Sequence, residues 1–176
     1  MRLSDCQRRL VPHAGGQAEI RAKRAMRTYL VVIDDSEESR LAQRFAARRA
    51  AQTGGNVHFV VAIEPQAFVA WGGVQATIEE EAREKAEAVA QAAAAQVHAE
   101  CGIHASMTVQ QGNAADIVRE ILLSDHNIAA LVLGAAEDGP PGPLVTHFSG
   151  VDAGKLPVPV MIVPGSLTIE QLDRLS

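Results

Sequence analysis

Two short stretches of the chain hold residue types that bind or transform small molecules. The first, Asp34-Asp35-Ser36, follows an apolar run and precedes a helical pattern. Adjacent carboxylates at a strand end can hold a divalent cation or accept hydrogen bonds from a base or a ribose, and they can equally cap the helix that follows. The second runs Gly134-Ala135-Ala136-Glu137-Asp138-Gly139-Pro140-Pro141-Gly142-Pro143 and continues to Thr146 and His147. Glycines in such loops let backbone N–H groups approach phosphate oxygens, and a protonated imidazole at a helix start meets the same anions. Neither a P-loop lysine nor G-x-G-x-x-G occurs in the chain. No Ser or Cys nucleophile sits in a turn motif with an identifiable base, so neither a catalytic set nor a metal site is expected.

The elements that must position these residues alternate along the chain. Thr28 to Ile33 is a continuous, β-branched apolar run, the pattern of a strand buried on both faces. Ser36 with Glu37 and Glu38 starts a helix whose apolar face is Leu41, Ala42, Phe45, Ala46 and Ala50, and Gly54 and Gly55 end it. Val57 to Ile63 is the second strand. The helix after it is expected from Thr77, where Thr77-x-x-Glu80 reads as a capping box, to Gly102. The connection before it carries the only tryptophan, Trp71, in a stretch long enough for a lid or a partner contact. Ala105 to Gln110 is a less apolar third strand, followed by a helix capped by Asn113, and "AALVLG" and "VPVMIV" supply strands four and five. This βαβαβαβαβ succession implies an α/β fold with one open, mostly parallel five-stranded sheet and helices on both faces. Ligands of such sheets sit beyond the carboxyl ends of the strands.

Composition narrows the classes. With 176 residues and 47% apolar content the chain forms one ordinary core. Its 3% aromatic content argues against stacking platforms for single-stranded nucleic acid. Cys6 and Cys101 lie far apart without histidine at ligand spacing, which fits a reducing cytoplasm. No apolar run approaches a membrane span, and the N-terminal segment lacks a secretory-type apolar core. Residues 1–28 carry seven Lys and Arg against Asp5 and Glu19, leaving −10 of the net −5 on the remainder. Residues 1–27 are therefore expected to be a basic, disordered arm or the product of a start assigned upstream of Met26; a nucleic-acid adaptor role for it is the alternative.

"YLVVIDDSEESRLAQRFAARRAA", "GNVHFVVAIEP", "GNAADIVREI", "ALVLGAA" and "LPVPVMIVP" together resemble the universal stress protein family over about residues 28–164. The acid-acid-serine step at Asp34-Asp35-Ser36 and the Pro157-Val158-Pro159-Val160 step are its most specific parts. The resemblance implies a Rossmann-like sheet of order 3-2-1-4-5 over residues 28–165, with 166–176 as a short helical tail. It also implies an adenine-nucleotide pocket at Asp34, Asp35, Ile63, Gly112, Gly134, Glu137, Thr146 and His147. ATP-binding members carry a glycine, two residues, a second glycine, nine residues, then Gly followed by Ser or Thr. Here Gly134 matches the first position, Glu137 stands at the second, and counting back from Pro157 places Thr146 and His147 where the last pair belongs. Glu137 in that position sets a carboxylate against phosphate, a repulsion of roughly 4 kcal/mol per charge at about 4 Å and an effective dielectric of 20. Pro140, Pro141 and Pro143 remove three donors.

The resulting expectation is a non-enzymatic stress-response protein with a degenerate pocket. It needs no cofactor, binds ATP or AMP weakly, and acts through homodimerisation and an unidentified protein partner. A nucleotide-dependent switch is the alternative. The dimer is expected to form through the edge of strand five, with Val158, Val160 and Ile162 on one face, and the apolar side of Leu167, Ile169, Leu172 and Leu175 across the partner.

Overall fold

The computed structural model describes residues 27–65, 72–150 and 152–176. The basic arm, save Arg27, and the Trp71 connection lie outside the described residues. Five strands, β1 (Thr28–Val32), β2 (Asn56–Ile63), β3 (Ser106–Gln111), β4 (Ile128–Ala135) and β5 (Val160–Pro164), form one sheet in the order β3-β2-β1-β4-β5 with every neighbouring pair parallel. The helices are α1 (Glu37–Thr53), α2 (Gly72–Cys101), α3 (Ala114–Ser124), α4 (Pro143–Ser149) and α5 (Ile169–Leu175).

Strand alternation divides the core in two. Tyr29, Val31, Val57, Phe59, Ala130 and Val132 face α1 and α2, where Ala42, Ala46, Ala50, Ala86, Ala90 and Ala93 let the helices lie close to the sheet. Leu30, Val60, Leu131 and Leu133 face the opposite side, against Ile117, Val118 and Leu122 of α3 and Phe148 of α4. The alanine-lined helices on one face and the larger apolar residues of α3 and α4 on the other hold the strands in register, because a slip of one residue would exchange the side chains that meet them.

Two element starts and the placement of the tail depart from the sequence expectation. The helix α2 starts at Gly72, so Thr77 lies inside it and Thr77-x-x-Glu80 is not a capping box. Gly72 and Gly73 disfavour helix by about 1 kcal/mol each, which a 30-residue alanine-rich helix outweighs. The strand β5 starts at Val160, because Pro159 has no N–H to give to a ladder; its carbonyl instead accepts from Leu131 N at 3.0 Å. The tail α5 docks on its own chain. Leu172 is fully buried and Leu167 packs against the same core, while Arg44 of α1 grips Asp173 with Nε and Nη2, each at 2.9 Å. Two of the four apolar residues expected to lie across a partner are thus consumed within the chain, and Ile169 and Leu175 remain exposed.

Candidate functional site

All five strands run in the same direction, so their carboxyl ends share one edge of the sheet. There the chain leaves β1 towards β2 on one side and reaches β4 on the other, the strand-order reversal at which a crevice opens. A cleft of about 1020 Å³ occupies it. Its walls are the end of β1 (Val32, Ile33, Asp34), the end of β2 (Ala62, Glu64, Pro65), the turn and first helical residues 112–116, and Pro143, Leu144 and His147 of α4. Two smaller cavities adjoin it, and Asp34 lines all three. One of about 230 Å³ extends towards α2, with Asp35, Ile63 and Lys85; one of about 110 Å³ lies between α1 and α4, with Ser36, Glu38 and Gly134.

The exposed Asp34 carboxylate is oriented by its local fold. Oδ1 accepts from Ser36 N at 2.9 Å and from Ser36 Oγ at 2.5 Å, closing an Asx turn. Ser36 Oγ in turn accepts from Ser39 N at 3.2 Å as the N-cap of α1, and the buried Ser39 hydroxyl accepts from Asp34 N at 3.0 Å. With one oxygen held in this way, the other has no partner among the described residues, and Asp34 lines the cleft. Asp35 turns away to an exposed ion pair with Lys85 at 3.0 Å.

Gly112 joins β3 to α3 at φ 149°, a conformation that favours glycine, and its N–H donates to Ile63 O at 3.0 Å. Asn113 then caps α3, its Oδ1 accepting from Ala115 N at 2.9 Å and Asp116 N at 3.3 Å. Two of the first backbone donors of that helix, Ala115 N and Asp116 N, are therefore already occupied at the cleft wall.

The structure gives the residues after β4 roles that the glycine spacing does not convey. Gly134 is needed for close packing: a Cβ there would lie 2.2 Å from Glu38 O and 2.4 Å from Glu38 C, in the first turn of α1. Glu137 is exposed and lines none of the three cavities, so its repulsion of a bound phosphate is screened by solvent. The helix α4 begins at Pro143, which places Thr146 and His147 in its middle and last turn rather than at a helix start. Thr146 Oγ1 donates back to Gly142 O at 2.9 Å and faces none of the cavities. His147 alone of this pair reaches the main cleft.

His147 belongs to a cluster that the sequence reading missed. Its Nε2 lies 3.0 Å from Arg119 Nη2 and 2.9 Å from Asp152 Oδ2, and Arg119 Nη2 donates to the same Oδ2. Nε2 can accept from Arg119 or donate to Asp152, but not both at once. Arg119 Nη1 also donates to Asp116 at 2.9 Å, and Lys155 Nζ stands 3.6 Å from Asp152. The Arg119 guanidinium, foremost among these neighbours, holds the Asp152 carboxyl below the usual carboxylate range. The Asp116–Arg119 spacing of three was a readable helical pair; the approach of Asp152 and His147 depends on how α4 folds back and left no local signal. Glu64 was likewise missed, being an acid just beyond a strand end.

Among the described residues no group of three or more His, Cys, Asp and Glu side chains could hold a metal ion, and no helix is long and apolar enough to cross a membrane. Val158, just before β5, and Val160 at its start pack against the core with α3 and α4, while Ile162 stays 42% exposed on a strand that among the described residues pairs only with β4.

Comparison with curated proteins by sequence finds no match. The model of the universal stress protein family matches residues 26–164. Among solved structures, the universal stress protein UspA of Lactobacillus plantarum superposes with a TM-score of 0.65 at 14% identity, covering 78% of this chain and 97% of that one. A universal stress protein family member from Burkholderia pseudomallei gives 0.61 at 16% identity, covering 80% and 98%. A family protein of Arabidopsis thaliana, solved with AMP bound, gives 0.52 at 11% identity, covering 78% and 91%.

Proposed function

We propose that this chain, which belongs to the universal stress protein family, is a non-enzymatic stress-response protein that acts through self-association and protein contacts. In this reading it keeps an adenosine-sized cleft whose phosphate end has degenerated. The lining of the cleft carries the argument. Among the described residues, Asp34, Glu64 and Asp116 bring three carboxylates to it, and neither Lys nor Arg stands among its walls. Such a surface repels a triphosphate and accommodates a neutral nucleoside, for which Val32, Ala62, Pro65 and Leu144 offer apolar contact and the free oxygen of Asp34 an acceptor for a ribose hydroxyl or an exocyclic amine. The AMP-bound Arabidopsis protein makes adenine chemistry the natural choice for a cleft in this fold.

Binding rather than turnover fits the same walls, which among the described residues contain no Ser, Thr, Cys, Tyr or Lys and no nucleophile paired with an activating base. ATP and AMP are then weak ligands, and no cofactor is required. Self-association is assigned to the open edge of β5, where Ile162 and the unpaired backbone face outwards to a second copy. The working compartment is the cytoplasm.

Mass spectrometry of the natively purified full chain, and of what it releases on denaturation, tests this reading. The expected result is a dimer without stoichiometric ATP. Stoichiometric ATP recovered from the native protein would overturn it.

A further inference from the structure

We propose that Asp152 is an internal anion that engages, behind the His147 wall of the cleft, the basic side chains a nucleotide phosphate would need, making it the residue that denies phosphorylated adenosine an advantage over adenosine. The inference rests on the adenosine reading of the cleft and adds to it a specificity-determining residue. Three basic side chains from three places in the fold converge on one carboxylate. Arg119 comes from α3, His147 from α4, and Lys155 from the turn that leads to β5. A set of basic side chains around a single acceptor is what a phosphate group requires, and here the acceptor is built into the chain.

The place is also right. His147 lines the main cleft, and so does Asp116, which lies one turn before Arg119 on the same helix. A phosphate attached to a nucleoside in the cleft would meet His147 first and Arg119 behind it, with both already held by Asp152. Displacing Asp152 would leave its carboxylate, only 15% exposed, without its partners. Without displacement, the incoming phosphate faces Asp152 and Asp116 as like charges. In both cases the phosphate adds nothing to the affinity of the nucleoside.

The turn around Asp152 does not depend on its carboxylate, because Ala153 N donates to Gly150 O at 3.3 Å and Lys155 N to Asp152 O at 2.9 Å. Asp152→Asn therefore removes the charge while leaving the turn its backbone bonds. The test is calorimetry on the full chain with adenosine, AMP and inorganic phosphate, together with the imidazole NMR signals of His147. Wild type should bind AMP and adenosine about equally. D152N should bind AMP about tenfold more tightly than wild type, a gain of about 1.4 kcal/mol, with adenosine unchanged. Phosphate should move the His147 signals in D152N only, and adding Arg119→Gln to D152N should abolish the gain.

Equal AMP and phosphate affinities in D152N and wild type would overturn the proposal. So would a wild type that binds AMP about tenfold more tightly than adenosine, an outcome that decides the matter even if D152N fails to fold. Failure of adenosine to bind wild type would instead refute the cleft reading, while the phosphate response of His147 in D152N still reports on the anion site.

Discussion

Replacing Gly134 with alanine separates the two reasons a glycine can stand after β4. If its role is to let backbone approach a phosphate, G134A alters ligand binding and leaves the empty protein as stable as before. The structure gives the other outcome. The new Cβ would be 2.2 Å from Glu38 O, 2.4 Å from Glu38 C and 3.0 Å from Glu38 Cβ, against an ordinary contact of 3.4 Å or more. Two of those atoms are backbone in the first turn of α1, so no rotamer change relieves the overlap. The start of α1 must move off the sheet by about an ångström, disturbing the Asp34–Ser36–Ser39 bonds and the alanine packing behind them. Forced overpacking of this kind costs about 1–3 kcal/mol, and more where backbone must shift. Thermal denaturation followed by circular dichroism should show the midpoint lowered by roughly 2–12 °C, at about 2–4 °C per kcal/mol for a chain of this size. A ligand-free G134A protein within about 0.5 kcal/mol of wild type would refute the reasoning, since surface-like changes have effects of that size.

Asp34→Ala should weaken adenosine binding while lowering stability by at most about 1 kcal/mol, because Ser36 still caps α1; equilibrium unfolding and calorimetry on the same sample check both parts, and a larger loss of stability with unchanged binding would assign Asp34 a purely structural role. Val160→Lys with Ile162→Lys should yield monomer or insoluble protein where wild type sediments as a dimer at micromolar concentration, and a monomeric wild type would refute the β5 interface. His58 is half-buried between Ser106 Oγ and Thr108 Oγ1, each at 2.9 Å, and burial holds it below its ordinary value. The unfolded chain therefore binds its proton first, so this contribution to stability is present above about pH 6.5 and is lost as pH falls through the folded value. The urea midpoint should decline between about pH 7.5 and 5.5 in wild type and decline less in His58→Asn.

The sheet was legible because its strands announce themselves: Thr28 to Ile33 and Val57 to Ile63 are unbroken apolar runs, and the glycines at 54 and 55 stop the helix between them. The start of α2 was not, because Thr77 and Glu80 make a persuasive local cap that the length of the helix overrides. In the site, Asp34 was readable as an acid at the end of a buried strand, and Gly112 and Asn113 as a turn into a helix. Gly134 looked like part of a phosphate loop because its true neighbour, Glu38, is distant in sequence. Thr146 and His147 were expected at a helix start by counting back from Pro157, although Pro143 after Gly142 was the better start signal. No pattern along the chain brings Asp152 to Arg119 and His147; only the fold-back after α4 does so.

The central claim is that the cleft takes adenosine and has lost its hold on a triphosphate. Calorimetric titration of the ligand-free full chain with magnesium ATP, alongside adenosine, tests it most directly. The account predicts measurable adenosine binding and magnesium ATP no tighter than the high micromolar range, about −4 to −5.5 kcal/mol. A low-micromolar dissociation constant for magnesium ATP would contradict it.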